Sequence, residues 1–310
     1  MSNSPLISYT KISPFRASPR ERKIDCVAVH CAVGQLSVET LGQIFQTKPA
    51  SSNYGIGSDG RIALYVPESD RSFCTSTIEG DSRAVTIECA SDAREPYAFN
   101  EKVWRSLVDL LADICIRNDI PRLKWSDSKE ERVNHLNGAN MLAHRDYNSG
   151  KSCPGTWCFA RERLLAQEVN SILAAERGVK YRAFLEKNGW GKIVTEGAAG
   201  KPKGGDGLQA FRIYPPDGVE LTAFASVEGE PWKVYRGIKK GDSKVTIGTT
   251  GKGKRLEAFE IRVDKNEPGR TLKYRAYAHG TGWTAWTKAG TVCGSVGAAR
   301  YLEAVQFKFE

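Results

Sequence analysis

The sequence predicts two domains of different class: an α/β domain over residues 1–177, with a mixed sheet flanked by helices, and an all-β domain with pseudo-threefold character over 178–310. Three observations carry this. Between Ile24 and Gly178, short β-branched apolar runs alternate with segments of helical period. After Gly178 the texture changes to Gly-rich turns and alternating strands, and the chain repeats itself three times. At 310 residues the chain also exceeds what one hydrophobic core usually sustains, about 250 residues.

The first region reads in order. "IDCVAVH" (24–30) is a buried strand ending at His30. In "SVETLGQIFQ", Ser37 caps a helix with Val38, Leu41, Ile44 and Phe45 on one side. "NYGIGSDGRIALYV" is a hairpin turning at Asp59-Gly60, and "AVTIECA" (84–90) is another strand. "NEKVWRSLVDLLADICIRNDI" is a long amphipathic helix capped by Asn100, with Val103, Leu107, Leu110, Ile114 and Ile116 on the apolar side. A last helix runs from about Trp157 to Arg177 and stops at Gly178.

In the second region, "YRAF" (181–184), "LTAF" (221–224) and "YRAY" (274–277) precede "NGW", "EPW" and "TGW". The units close with "LQAFRI" (208–213), "LEAFEI" (256–261) and "LEAVQF" (302–307). Three units of roughly forty to fifty residues, with about three strands each, predict a β-prism-like arrangement; a β-trefoil is the alternative. Trp190, Trp232 and Trp283 recur at equivalent positions and read as sheet-packing residues, whereas Trp286 occurs in the last unit alone and is the candidate binding residue.

Composition excludes several classes. No apolar run approaches the ~20 residues of a membrane span, so no membrane insertion is expected. The first residues lack the apolar core of a secretory signal, which predicts synthesis in the cytoplasm. Eight cysteines without CxxC pairs fit a chain made in a reducing compartment. The net charge of +9 lies wholly after residue 177: 22 basic and 22 acidic residues precede that point, and 45 − 22 = 23 basic and 36 − 22 = 14 acidic residues follow it. Such a charge points to a polyanionic partner. The candidates are a teichoic-acid-bearing cell wall, nucleic acid and an anionic membrane surface, and no nucleic-acid recognition module accompanies the charge.

Catalytic zinc usually takes three protein ligands from His, Cys and carboxylates and leaves a fourth position open. His30, His144 and Cys153 make such a set, and the nine residues from His144 to Cys153 allow both side chains to converge. Spacing alone leaves open whether His144 is a ligand or a surface loop histidine.

The stretches "VHCAVG", "SSNYGIGSDGRI", "AVTIECA" and "HRDYNSGKSCPG", in that order over residues 24 to about 170, resemble the motifs of the zinc-dependent type-2 N-acetylmuramoyl-L-alanine amidases, the peptidoglycan-recognition-protein family. The resemblance implies Zn2+ held by His30, His144 and Cys153. It also implies hydrolysis of the amide between N-acetylmuramic acid and L-alanine in peptidoglycan. Members that only recognise peptidoglycan typically lack the cysteine. A general base must take the water proton and return it to the leaving amine; strand alternation turns Glu88 away from Val85 and Ile87, making it the candidate. Lys151 stands where lytic relatives often keep a lysine that steadies the oxyanion, and reads equally as a solvated loop residue. Asn53 and Tyr54 are candidate cleft-lining, substrate-binding residues, Tyr54 alternatively serving hairpin packing. Asp146 is expected to orient the His144 loop, and His135, Cys26, Cys31, Cys89 and Cys158 to be structural.

Residues 180–310 resemble clostridial hydrophobic W repeats through "GWTAW", "GTTGKGKRLEAFEI" and "RYLEAVQF", less closely in the first two units. This implies attachment to peptidoglycan and anionic polymers of a Gram-positive cell wall. The combined expectation is a phage-type endolysin, made in the host cytoplasm and released to the wall through a holin-type pore. The alternatives are a bacterial autolysin of the same activity and a non-catalytic peptidoglycan-binding protein.

Overall fold

The computed structural model describes residues 2–242, 244–266, 270–297 and 300–310. It divides into two compact units, Met1–Leu173 and Ala174–Glu310. Among the described residues no helix is long and apolar enough to cross a membrane.

The first unit is built on strands β1 (Tyr9–Thr10), β2 (Cys26–Cys31), β3 (Tyr54–Ile56), β4 (Ile62–Leu64), β5 (Ala84–Cys89) and β6 (Met141–Leu142), in the order β1-β4-β3-β5-β2-β6. β3 and β4 form the antiparallel hairpin that turns at Gly60, whose φ of 88° is cheap only for glycine. The β3-β5-β2-β6 run is parallel, so all four strands end at the same edge of the sheet. β2 is buried along its whole length, as its unbroken apolar run requires.

Seven helices accompany the sheet among the described residues: α1 (Val38–Thr47), α2 (Ile78–Arg83), α3 (Glu101–Arg117), α4 (Lys129–Asn134), α5 (His144–Tyr147), α6 (Gly155–Phe159) and α7 (Glu162–Arg177). Ser37 caps α1 by accepting from the Thr40 N–H, and Asn100 caps α3 by accepting from the Val103 N–H. α3 buries Val103, Leu107, Val108, Leu110, Leu111, Ile114 and Cys115. Ile116 is 41% exposed and falls outside that face, correcting its expected place. The single last helix expected from Trp157 is two, α6 and α7, with the chain turning between Ala160 and Arg161.

The second unit consists of three sheets around one core. Its strands are β7 (Lys180–Leu185), β8 (Gly189–Trp190), β9 (Ala199–Gly200), β10 (Leu208–Tyr214), β11 (Glu220–Val227), β12 (Lys233–Ile238), β13 (Ile247–Gly248), β14 (Leu256–Lys265), β15 (Leu272–Ala278), β16 (Gly282–Trp283), β17 (Thr287–Lys288), β18 (Cys293–Gly294) and β19 (Leu302–Phe309). The sheets run β13-β10-β7-β8, β12-β11-β14-β18 and β16-β15-β19-β9, with β17 also on β15. Phe211, Phe259 and Phe307, one from each sheet, meet in the middle with ring centroids 5.1–5.7 Å apart.

Each repeat lends an edge strand to another repeat's sheet: β13 to β10, β18 to β14, and β9 to the final strand β19. The crossing residues are Gly248, Gly294 and Gly200, at φ of 107°, 99° and 115°. A Cβ at any of them would run into the carbonyl oxygen of Gln209, Glu257 or Glu303 on the partner strand, so the close approach itself demands glycine.

Candidate metal and catalytic site

The parallel strands bring the chemistry to one edge. His30 is the penultimate residue of β2 and Glu88 the penultimate residue of β5, and the two are direct cross-strand partners. β6 ends at Leu142 on the other side of β2, and His144 opens α5 two residues later. Three adjacent parallel strands thus deliver three polar side chains beyond their carboxyl ends, where open α/β sheets place their ligands.

The loop after α5 adds Cys153. It is pinned by the Arg145 N–H donating to the Cys153 carbonyl at 3.2 Å and by the Arg145 guanidinium donating to the Ser152 carbonyl. Cys153 Sγ lies 3.3 Å from His30 Nδ1, and the rings of His30 and His144 are 5.2 Å apart. Ligand atoms of His30, His144 and Cys153 all fall within 4.8 Å of one another, so one cation could be held by all three.

The expected orienting role of Asp146 takes a definite form. Both its oxygens receive the Arg132 guanidinium, at 2.6 and 2.7 Å, with both side chains almost fully buried. Arg132 also stacks on Trp125 and faces Phe159. A bidentate buried pair of this kind fixes the start of α5, and with it His144.

Electrostatics tune the site toward ligation and proton transfer. Burial first, and the neighbouring His144 second, push His30 down to about 3; burial and then the Lys151 charge push His144 down to about 4. Both imidazoles are therefore neutral at physiological pH, the form that binds metal. Burial raises Glu88 to about 7 while Lys151 opposes the shift. A carboxyl poised there is suited to both accepting and returning a proton near neutral pH. The Glu88 Oε2 and His30 Nε2 atoms are buried without a hydrogen-bond partner among the described residues.

Two expected substrate-binding residues are corrected. Asn53 and Tyr54 are fully buried. The Asn53 amide donates to the Val66 carbonyl and its Oδ1 accepts from Arg20, while the Tyr54 hydroxyl donates to Glu68. Their polar atoms are spent inside the fold and neither presents a surface to a cleft. Trp286 is 37% exposed, with Arg275 and Lys308 4.7 and 4.4 Å from its ring centre. Trp190 and Trp283 pack on Phe184 and Tyr277 as sheet residues, but Trp232, expected to do the same, lies outside the strand just ahead of β12 and is 39% exposed.

Two residues near the site carried no sequence signal. Ser76, at a φ of 65°, places Oγ 2.8 Å from His144 Nε2. Cys74 Sγ lies 4.0 Å from Glu88 Oε1. Both sit in the turn ahead of α2, an ordinary polar connection in sequence.

Residues 20–156 match the family model Amidase_2, N-acetylmuramoyl-L-alanine amidase, and residues 242–265 and 277–310 match ChW, clostridial hydrophobic W. No curated protein matches the chain. Among solved structures, the endolysin N-acetylmuramoyl-L-alanine amidase LysCS from Clostridium intestinale is 16% identical, with 53% of this chain and 97% of that chain covered at a TM-score of 0.37. A mutant endolysin from Bacillus subtilis is 16% identical over 53% and 99%, TM-score 0.37, and PlyL is 14% identical over 53% and 96%, TM-score 0.40. The chain therefore carries an N-acetylmuramoyl-L-alanine amidase domain of the Amidase_2 family, followed by clostridial hydrophobic W repeats.

Proposed function

We propose that the protein is a zinc-dependent amidase that cleaves the bond between N-acetylmuramic acid and L-alanine in peptidoglycan, acting as a phage-type endolysin on Gram-positive walls. The observation that carries this is the convergence of His30, His144 and Cys153 beside Glu88, within a domain that matches the amidase family. Two imidazoles held neutral and one thiol are a donor set that suits Zn2+. The unsatisfied His30 Nε2 shows that this buried ring is not committed to a hydrogen-bond network on both sides.

Bound by these three residues, zinc supplies Lewis acidity, polarising the amide carbonyl and acidifying water. Glu88 takes the water proton and passes it to the departing alanine amine. Lys151, whose charge reaches both Glu88 and His144, stabilises negative charge developing on the carbonyl oxygen. Ser76 Oγ, 2.8 Å from His144 Nε2, holds the His144 ring in place.

The repeats fit a wall-attachment role, with release through a holin-type pore bringing the enzyme to its substrate. The three sheets closing on one core support the prism reading of this unit. Trp286, 37% exposed with Arg275 and Lys308 over its ring, offers a partly open aromatic surface with two cations for an anionic glycopolymer.

The test is digestion of purified Gram-positive walls with mass spectrometry of the soluble fragments. New N-terminal alanine without new reducing ends, lost with a chelator and restored by zinc, is the expected result. New reducing ends without free alanine would assign a glycosidase instead.

A further inference from the structure

We propose that the site holds a second, inhibitory position for a thiophilic divalent cation, formed by Cys74, Glu88 and His30. Cys74 Sγ, a Glu88 carboxylate oxygen and a ring nitrogen of His30 lie within 4.8 Å of one another. This set shares His30 with the first and replaces His144 and Cys153 with a thiol and a carboxylate.

The position is built into the fold. The Asp81 carboxylate, itself nearly buried, accepts the backbone N–H groups of Cys74 at 3.0 Å and Thr75 at 2.9 Å. This clamp fixes the turn that presents the thiol. Two atoms in the set are buried and lack any hydrogen-bond partner among the described residues, Glu88 Oε2 and, in a fully buried ring, His30 Nε2. Buried polar atoms are rarely left unsatisfied, and a cation would satisfy both ligand types at once.

The donor chemistry selects the ligand class. Thiolate, imidazole and carboxylate together suit Zn2+ or Cd2+ and disfavour Mg2+ or Ca2+. Binding releases to solvent the Cys74 thiol proton, the Glu88 proton where it is present and, with both positions filled, the remaining ring proton of His30, which then bridges as imidazolate; the Cys74 thiolate and Glu88 carboxylate neutralise the divalent charge. Because His30 belongs to both sets, two cations bound together stand close and repel, and the second position fills only when metal is in excess. Occupancy ties the Glu88 carboxylate to the cation and removes it as a proton acceptor. This inhibitory consequence rests on the proposed role of Glu88; the binding itself does not.

The experiment uses the full chain, reduced and stripped with a chelator, titrated with Cd2+. It follows the ultraviolet thiolate-to-metal absorbance and counts bound cation by equilibrium dialysis. The other six cysteines are buried and contribute equally to every variant. Wild type should bind two equivalents, Cys74→Ala one. In parallel, wild-type activity should fall about tenfold at free zinc ten times the second dissociation constant, and Cys74→Ala should lose that fall. Saturation of wild type at one equivalent, or two equivalents retained by Cys74→Ala, overturns the proposal. Cys153→Ala separates the two readings: if it leaves the tighter step untouched, the first ligand set is wrong, while the second stands or falls on Cys74→Ala alone.

Discussion

Glu88 should destabilise the metal-free protein it serves, and Glu88→Gln should reveal this. Burial raises its carboxyl from 4.5 to about 7. Between these values the folded state binds a proton that the unfolded state does not, so stability falls as pH rises through that window and levels off above it. The shift of about 2.5 units corresponds to ~3 kcal/mol at about 1.4 kcal/mol per unit. Part of the side chain remains accessible, which lowers the expected penalty to about 2 kcal/mol. Glutamine has the same shape and carries no charge. Chelator-stripped Glu88→Gln should therefore melt later than wild type at pH 8, by several degrees for a unit of this size, and by only about a quarter of that at pH 5. Hydrolysis of walls should be lost in the same variant. Thermal denaturation of both proteins at the two pH values is the assay. An advantage absent at pH 8, or equally large at pH 5, would refute the reasoning.

Three further outcomes are expected. Cys153→Ser should weaken zinc binding on the order of 100-fold or more and abolish lysis, as measured by metal content after dialysis and by turbidity of wall suspensions. Arg132→Met should cost about 3–5 kcal/mol by stranding the buried Asp146 carboxylate, and adding Asp146→Leu should recover much of it; urea unfolding of the single and double variants checks whether the two losses are non-additive. Trp286→Ala should reduce sedimentation with walls about tenfold without altering hydrolysis of a soluble muropeptide.

What could be read from the sequence followed the range of each signal. The β2 and β5 strands, the caps at Ser37 and Asn100 and the Gly60 turn are local, and local pattern was enough for them. The approach of His30, His144 and Cys153 is not local, and spacing gave only two of the three in one loop; the parallel register of β5-β2-β6 brings the rest together. Asn53 and Tyr54 were misjudged because polar residues in a hairpin look exposed until Arg20 and Glu68, distant in sequence, arrive to bond them. Ile116 shows the limit of helical period, since a residue on the border of an apolar stripe faces solvent when nothing packs over it. Cys74 and Ser76 were invisible because their importance comes from the turn ahead of α2, which Asp81 fixes from further along the chain.

The exchange of edge strands gives the repeat unit a fixed size. In a solenoid, repeats can be appended or trimmed, provided the terminal ones are capped. Here β9, near the start of the unit, completes the sheet of β19, its last strand, so the cycle of strand exchange among the described residues closes on itself instead of ending in a repeat that needs a cap. Deleting any one repeat strips a strand from a neighbour as well as a third of the core. Such a unit must be inherited, lost and folded as a whole, and its gene can vary in the loops between strands far more readily than in the number of repeats.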